Sequence, residues 1–191
     1  MFDAEKALFT KRSVAAGLGM IAVFAGLLVW ENRPLWCKYG LSLWTGAWTH
    51  CTSQNLLDPY SFSHILHGII FYWLLRTIAP RIELHWRLAA AIGIEIGWEL
   101  LENSAWVIER YRQQTASLDY SGDSFVNSLS DVLMAAIGFC FAARVSWKWA
   151  VVVFVVFELG MLWVARDNLT LNVLMLFLPL DAIKEWQIQG M

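Results

Sequence analysis

Three carboxylates lie inside an apolar stretch that is long enough to cross a membrane. Glu95, Glu99 and Glu102 occur between Leu88 and Ile108, at intervals of four and three residues, so a helix would place them on one face. An ionised side chain near the centre of a bilayer costs roughly 2.5–3.5 kcal/mol on insertion scales, and it is tolerated where it is paired, protonated or facing a wet cavity. The stretch therefore predicts polar partners on neighbouring helices.

A second apolar stretch begins with two histidines. Ser63, His64 and His67 lie in the sequence SFSHILHG, and the three-residue interval brings both imidazoles near one face of a helix. Such a ring would ligate a metal, relay a proton or accept a hydrogen bond from a neighbouring helix. A single histidine of this kind is more often an interhelical contact than a ligand. The two histidines therefore indicate a functional site only in combination with the carboxylates.

A third polar stripe begins a further apolar stretch. Asp123, Asn127 and Asp131 follow one another at four-residue intervals, which a helix stacks along one face. If the helices alternate in direction across the membrane, the polar ends of all three stretches meet on the same side. We therefore expect one outward-facing pocket, with Asn103 and Glu158 also on its wall.

Two histidines and several carboxylates suit a divalent transition metal such as zinc, iron or manganese. The expected metal ligands are His64, His67, Glu99 and Asp123. The expected catalytic residues are Ser63, His67, Glu102 and Asp131, of which Glu102 or Asp131 would act as a general base or support the ligands. The expected substrate-binding residues, of which the arginines would hold a phosphate or carboxylate, are Asn103, Arg110, Arg112, Asn127 and Arg166.

These residues predict a membrane-embedded, metal-dependent hydrolase or transferase that acts on a lipid or lipid-linked substrate at the periplasmic face. In a version without metal, His67 would activate Ser63 or a water, but no G-x-S-x-G motif surrounds this serine. A proton- or ion-coupled transporter or binding protein would also use intramembrane acids and histidines. A structural accessory subunit would use the same groups to hold helices together.

The composition is that of an integral membrane protein. Hydrophobic residues make up 58% of the 191 residues and charged residues only 16%, with twelve tryptophans, whereas a soluble domain of this length carries more charge. The net charge of −2 and the lack of a basic cluster argue against nucleic-acid binding. We expect a single domain over 1–191 that lies in the bilayer, and the sequence leaves open whether a partner membrane protein or a second copy of the chain completes the pocket.

The apolar stretches predict an all-α polytopic helix bundle with five to six transmembrane helices. At about 20 residues per span, the helices are expected at 13–30, 61–79, 87–108, 124–144 and 147–165. A shorter apolar run over 169–180 forms either a half-helix or a sixth span. Basic residues favour a cytoplasmic N-terminus by the positive-inside rule.

With this orientation the loop over 31–60 lies outside the membrane and holds two cysteines. An oxidising compartment would permit a disulfide between Cys37 and Cys51. Two cysteines in one loop also arise by chance, so the bonded and the free states both stay open.

Three stretches resemble an uncharacterised family of bacterial inner-membrane proteins that is defined as a domain of unknown function. They are DPYSFSHILHGIIFYWLL, GWELLENSAWVIERYRQQTASLDYSGDSFVNSLSD and RDNLTLNVLMLFLPLDAIKEWQ, and the likeness covers nearly all of 36–187. The resemblance implies a multi-pass protein of the inner (cytoplasmic) membrane of a Gram-negative bacterium, and it implies no particular reaction. More faintly, Asp119, Asp123 and Asn127, followed by Gly138, are similar to a helix pattern of VanZ-like membrane proteins.

Overall fold

A computed structural model describes residues 7–114 and 120–189. Within these ranges the protein is all-α, with eight helices and one isolated β-bridge between Trp44 and Leu57. Asp119, part of the VanZ-like pattern, lies outside the described residues. The helices are α1 (Lys11–Trp30), α2 (Ser61–Ile78), α3 (Leu84–Glu102), α4 (Ala105–Gln114), α5 (Phe125–Arg144), α6 (Trp147–Ala165), α7 (Leu169–Phe177) and α8 (Asp181–Ile188).

Three of the described helices are long and apolar enough to cross a membrane by length and composition, namely α1, α5 and α6. This is fewer than the five to six that the apolar stretches predict. The helices α2 and α3 have 18 and 19 residues, but histidines, carboxylates and arginines reduce their apolar character. The run over 169–180 forms the nine-residue α7, followed by Leu178, Pro179 and Leu180 before α8, and roughly 14 Å of helix is too short for a span.

The predicted helix over 87–108 is wrong at its C-terminal end, because α3 ends at Glu102 and α4 begins at Ala105. The cause is Asn103, whose side-chain amide donates to the backbone carbonyl of Glu99 at 3.0 Å. The amide oxygen of Asn103 accepts a hydrogen bond from the backbone N–H of Asp123 at 2.7 Å. A short polar side chain that bonds the backbone competes with helix continuation, and here it also joins the end of α3 to the start of α5.

The helices α2 and α5 form the closest helix pair of the bundle. A Cβ atom added to Gly68 would lie 1.9 Å from the carbonyl oxygen of Ala135, and one added to Gly138 would lie 2.0 Å from that of Ile65. Glycines at such positions let two helix backbones touch. Because His64 precedes Gly68 by one turn, this contact sets the position of His64 against α5.

We predict that Gly68→Ala destabilises the protein by about 1–3 kcal/mol, because the added methyl group must push the two backbones apart. Gly97→Ala in α3 is the matched control, since nothing lies within 4 Å of the added Cβ and alanine is the better helix former. Unfolding of both variants in detergent, followed by tryptophan fluorescence, checks this. Equal stability of the two variants would contradict the close backbone contact.

Candidate functional site

The imidazole of His64 lies at the centre of a buried group of carboxylates. Its Nδ1 atom is 2.5 Å from Oε1 of Glu95 and 3.5 Å from Oε1 of Glu99. Its Nε2 atom is 3.7 Å from Oδ2 of Asp131. All four side chains are buried, so one ring with at most one positive charge faces three acids from α3 and α5.

Glu95 is the best-satisfied carboxylate of this group. It accepts from His64 and also lies 3.1 Å and 3.2 Å from Nδ1 of His67, which comes one turn later in α2. The rings of His64 and His67 meet edge to face, with centroids 5.2 Å apart. Glu95 therefore fixes the orientation of both imidazoles, a role that a histidine ligand of a metal commonly requires of a neighbouring carboxylate.

Other carboxylate oxygens have no such partners. Among the described residues, neither oxygen of Glu99 accepts a hydrogen bond, and the same holds for Oδ1 of Asp131. The buried amide of Asn127 also has no side-chain hydrogen bond within the described part of the chain. A buried polar atom without a partner costs free energy, so this group has room for a proton or a bound cation.

Two sets of three side chains have the separation that a metal ion requires. In each set, one ligand atom per residue lies within 4.8 Å of the others, and the sets are His64, His67, Glu95 and His64, Glu99, Glu102. Of the four predicted metal ligands, the structure brings His64 together with either His67 or Glu99. Asp123 belongs to neither set, because its carboxylate binds the side chains of Asn103 and Tyr120 at 3.2 Å and 3.0 Å.

A cavity of about 740 Å³ opens above this group. Its floor is formed by His64, Glu102, Asp123 and Asp131, from three different helix regions. Trp36, Cys37, Lys38, Trp48 and His50 of the loop over 31–60 also line it. Hence the loop expected outside the membrane forms the roof of the cavity.

The roof is attached to the helices at several points. Cys37 and Cys51 form a disulfide with their Cα atoms 5.4 Å apart. The guanidinium of Arg33 donates to the backbone carbonyl of Asp123, with Nε at 2.8 Å. The indole N–H of Trp48 donates to the carbonyl of Ala165 at 2.8 Å.

The predicted substrate-binding arginines do not line this cavity. Arg110 donates to the carbonyl of Leu176, and Arg112 donates to that of Tyr120. Arg166 donates to the carbonyl of Trp186 and lies over its ring, 5.4 Å from the centroid. Each guanidinium thus joins two segments of the chain through a hydrogen bond to a backbone carbonyl. The spacing of residues in the sequence does not reveal this role.

Two further expectations differ from the structure. The carboxylate of Glu158 accepts from the backbone N–H groups of Leu169 and Thr170 and from the Thr170 hydroxyl, so it caps α7 and does not face the pocket. The hydroxyl of Ser63 lies 3.7 Å from Sδ of Met161. Among the described residues, the Ser63 hydroxyl hydrogen-bonds to this sulfur and to no histidine or carboxylate. This arrangement removes support from the metal-free nucleophile.

Two buried carboxylates, Asp58 and the cavity residue Asp167, come from segments without helical periodicity. Asp58 accepts from the backbone N–H groups of Ser53 and Tyr60 at 2.7 Å and 2.8 Å, and burial raises its pKa to about 6. Burial also raises the pKa of Asp167 to about 7, although it accepts hydrogen bonds from the backbone of Asn168 and the hydroxyl of Tyr60. The adjacent Asp-Pro and Arg-Asp-Asn sequences are turn signals, but they do not indicate that either carboxylate is buried or that Asp167 lines the cavity.

A family described as "Protein of unknown function (DUF2585)" matches residues 28–189. The chain belongs to this family.

Similar proteins include a UPF0314 protein of Brucella anthropi, 50% identical over 171 residues that cover 89% of this chain and 87% of that protein. A UPF0314 protein of Sphingopyxis alaskensis is 50% identical over 179 residues, 93% and 94% of the two chains. One of Paracoccus denitrificans is 45% identical over 185 residues, 94% and 95% of the two chains. No solved structure matches the chain.

Asp167 predicts a specific dependence of stability on pH. Its pKa is about 7 in the folded protein, against a usual value of 3.8. Between these two pH values the folded protein therefore keeps a proton on Asp167 that the unfolded chain has released. Between about pH 4 and 7 the free energy of unfolding therefore decreases as pH rises, by at most about 1.4 kcal/mol per pH unit from this group, and then levels off.

Asp167→Asn removes this titration, and we expect the variant to gain stability relative to the natural chain between pH 5 and 8. Thermal unfolding at a series of pH values measures the difference. Asp181→Asn, at an exposed position, is the control and should leave the pH profile unchanged. Parallel curves for Asp167→Asn and the natural chain would show that Asp167 does not titrate in this range.

Proposed function

We propose that the protein is a membrane-embedded, metal-dependent hydrolase or transferase acting on a lipid or lipid-linked substrate. The observation that carries this proposal is the buried group around His64, in which Glu99 has no hydrogen bond to a described residue while a histidine and a second glutamate lie at ligand distance. Burying several carboxylates without basic side chains is costly unless protons or cations neutralise them.

The set His64, Glu99 and Glu102 fits a divalent metal better than the set with Glu95. The oxygens of Glu95 are already occupied by two imidazoles, and Glu102 lines the cavity whereas Glu95 does not. Nitrogen and oxygen ligands of this kind suit zinc, iron or manganese. Such a metal would polarise a carbonyl or phosphoryl group or lower the pKa of a water.

The residues of the chain would then take separate roles. Glu95 holds the His64 ring through Nδ1, which leaves Nε2 directed toward Asp131. Asp131 is positioned to accept a proton at the cavity floor, as a general base requires. The roof loop and the tyrosines of the wall limit the access of bulk water, which strengthens the electrostatic interactions inside.

A multi-pass arrangement in the inner membrane supports a lipid-linked substrate. The outer faces of α1 and α6 expose apolar residues such as Leu18, Val23, Val156 and Trp163. We infer that α2 and α3 cross the membrane as well, since 18 and 19 residues of helix extend roughly 27–28 Å. The disulfide in the roof favours a periplasmic position of the cavity, because that compartment is oxidising.

A transporter is less well supported by the packing. Toward the end of the bundle away from the cavity, α2, α3 and α5 are joined by apolar residues that include Leu66, Ile69, Tyr72, Phe139 and Ala142. Alternating access requires polar residues accessible from both sides, whereas the helices are joined by apolar residues in this part of the bundle.

The metal proposal predicts that protein purified without chelator and without a metal-affinity tag contains a stoichiometric transition metal. Glu99→Gln keeps the shape but removes a charged ligand and is expected to weaken metal binding by about 10- to 100-fold. Glu109→Gln on the exposed side of α4 is the matched control and should bind metal normally. Elemental analysis measures the metal content of the natural chain and of the two variants. A natural chain without metal above background would overturn the proposal.

The enzyme proposal predicts a change in cellular lipids when the gene is deleted. Complementation with the natural chain or with Glu109→Gln should restore the lipid profile, and Glu99→Gln should not, because the reaction requires the buried ligand. Lipid mass spectrometry of the four strains measures this. Unchanged lipids in all strains, together with altered solute uptake in the deletion strain, would favour a carrier.

A further inference from the structure

A second polar group lies in the same cavity, away from the His64 site. We call it the Asp167 cluster, and it consists of Tyr60, Tyr111, Asp167, Asn172 and Gln187, all of which line the cavity. It surrounds the junction between α6 and α7. No part of the mechanism proposed above uses it.

Three side chains of the cluster donate hydrogen bonds within the protein. The Tyr60 hydroxyl donates to Asp167 at 3.2 Å, and the Tyr111 hydroxyl donates to Oδ1 of Asn172 at 2.5 Å. The side chains of Asn172 and Gln187 lie close enough to Asp167 to lower its pKa, against the larger opposite effect of burial. The amide nitrogen of Gln187 also donates to the carbonyl of Arg166 at 3.1 Å.

The cluster contains a hydrogen-bond acceptor that is available to a ligand. Gln187 is 1% exposed, and its Oε1 atom has no hydrogen-bond partner among the described residues. A ligand that fills this place must donate a hydrogen bond. An ionised carboxylate or phosphodiester group has no hydrogen to donate, so neither fits here.

The charge and the aromatic side chains of the cavity wall further restrict which ligands would fit. Three more acidic side chains line the cavity, namely Glu102, Asp123 and Asp131, and they favour a positive ligand. The rings of Trp48, Tyr60 and Tyr111 form part of the wall, and aromatic faces attract cations. A neutral hydroxyl group would satisfy Gln187 but would gain nothing from the negative charge.

We propose that the Asp167 cluster binds an organic ammonium group, carried either by a lipid headgroup or by a free amine. The proposal rests on the proposed function only in taking this cavity as the place where the substrate lies. In this arrangement the Asp167 cluster holds the ammonium group of the substrate, while the bond that is broken in the reaction faces His64.

Calorimetric titration of the purified protein in an uncharged detergent tests the proposal with four probes. The lipid probes are short-chain phosphatidylethanolamine and the matching phosphatidylglycerol, and the free probes are ethanolamine and glycerol. We expect phosphatidylethanolamine to bind and phosphatidylglycerol and glycerol not to bind. Binding of free ethanolamine as well would point to a soluble amine, whereas binding of the lipid alone would assign the headgroup.

Variants connect the binding to the cluster. Asp167→Asn and Gln187→Met are expected to weaken ammonium binding by about tenfold or more, while Gln187→Glu keeps the acceptor and should bind at least as well as the natural chain. The exposed positions give matched controls in Asp181→Asn and Gln189→Met, both of which should bind normally. Thermal unfolding checks that each variant is folded.

Glu99→Gln separates this proposal from the metal site. It should lose metal and still bind the ammonium probe, so a protein that holds no metal can still support the Asp167 cluster. Equal binding of phosphatidylglycerol, absence of binding by either ammonium probe, or natural affinity in folded Asp167→Asn and Gln187→Met would overturn the proposal.

Discussion

The burial of several carboxylates around the single imidazole of His64 is the constraint on which the rest of the structure depends. Glu95, Glu99 and Asp131 all approach this ring within 3.7 Å, and all are buried. A second imidazole, that of His67, has its Nδ1 atom 3.1 Å from Glu95, but even two protonated rings would neutralise only two of the three negative charges. The remaining charge must be removed by protons or balanced by a cation, because desolvated ions of like sign repel strongly in a medium of low dielectric constant.

The scaffold holds these groups together through backbone proximity. Gly68 and Gly138 let α2 and α5 touch, which brings His64 and Asp131 together, and Asn103 joins the end of α3 to Asp123. A larger residue at either glycine would separate the helices and also move the imidazole away from its partners. Packing and chemistry are therefore coupled at the same helix crossing.

Sequence spacing predicted the parts of this arrangement that follow from helical periodicity. The stripes of α3 and α5 and the two histidines of α2 are local patterns, and the structure brings Glu99, Glu102 and Asp131 toward His64 as their spacing implies. The contacts of Arg110, Arg166 and Glu158 could not be predicted, because a long side chain can bind a backbone carbonyl or cap a distant helix with no trace in the local pattern. The positions of Asp167 and Gln187 in the cavity were missed for the same reason, since these residues meet only when the segments between the helices pack together.

The roof of the cavity is better described as a fixed wall than as a lid. It is closed by the disulfide, and it bonds to the start of α5 through Arg33 and through the Gln54 amide, which donates to the carbonyl of Gly122 at 2.5 Å. It also bonds to the end of α6 through Trp48. A wall attached at both sides loses little conformational entropy when a ligand enters, so a preorganised cavity of this kind binds without first ordering a loop. The two polar groups that it covers, around His64 and around Asp167, are therefore held at a fixed separation, which is the condition for one molecule to be gripped at one group while it reacts at the other.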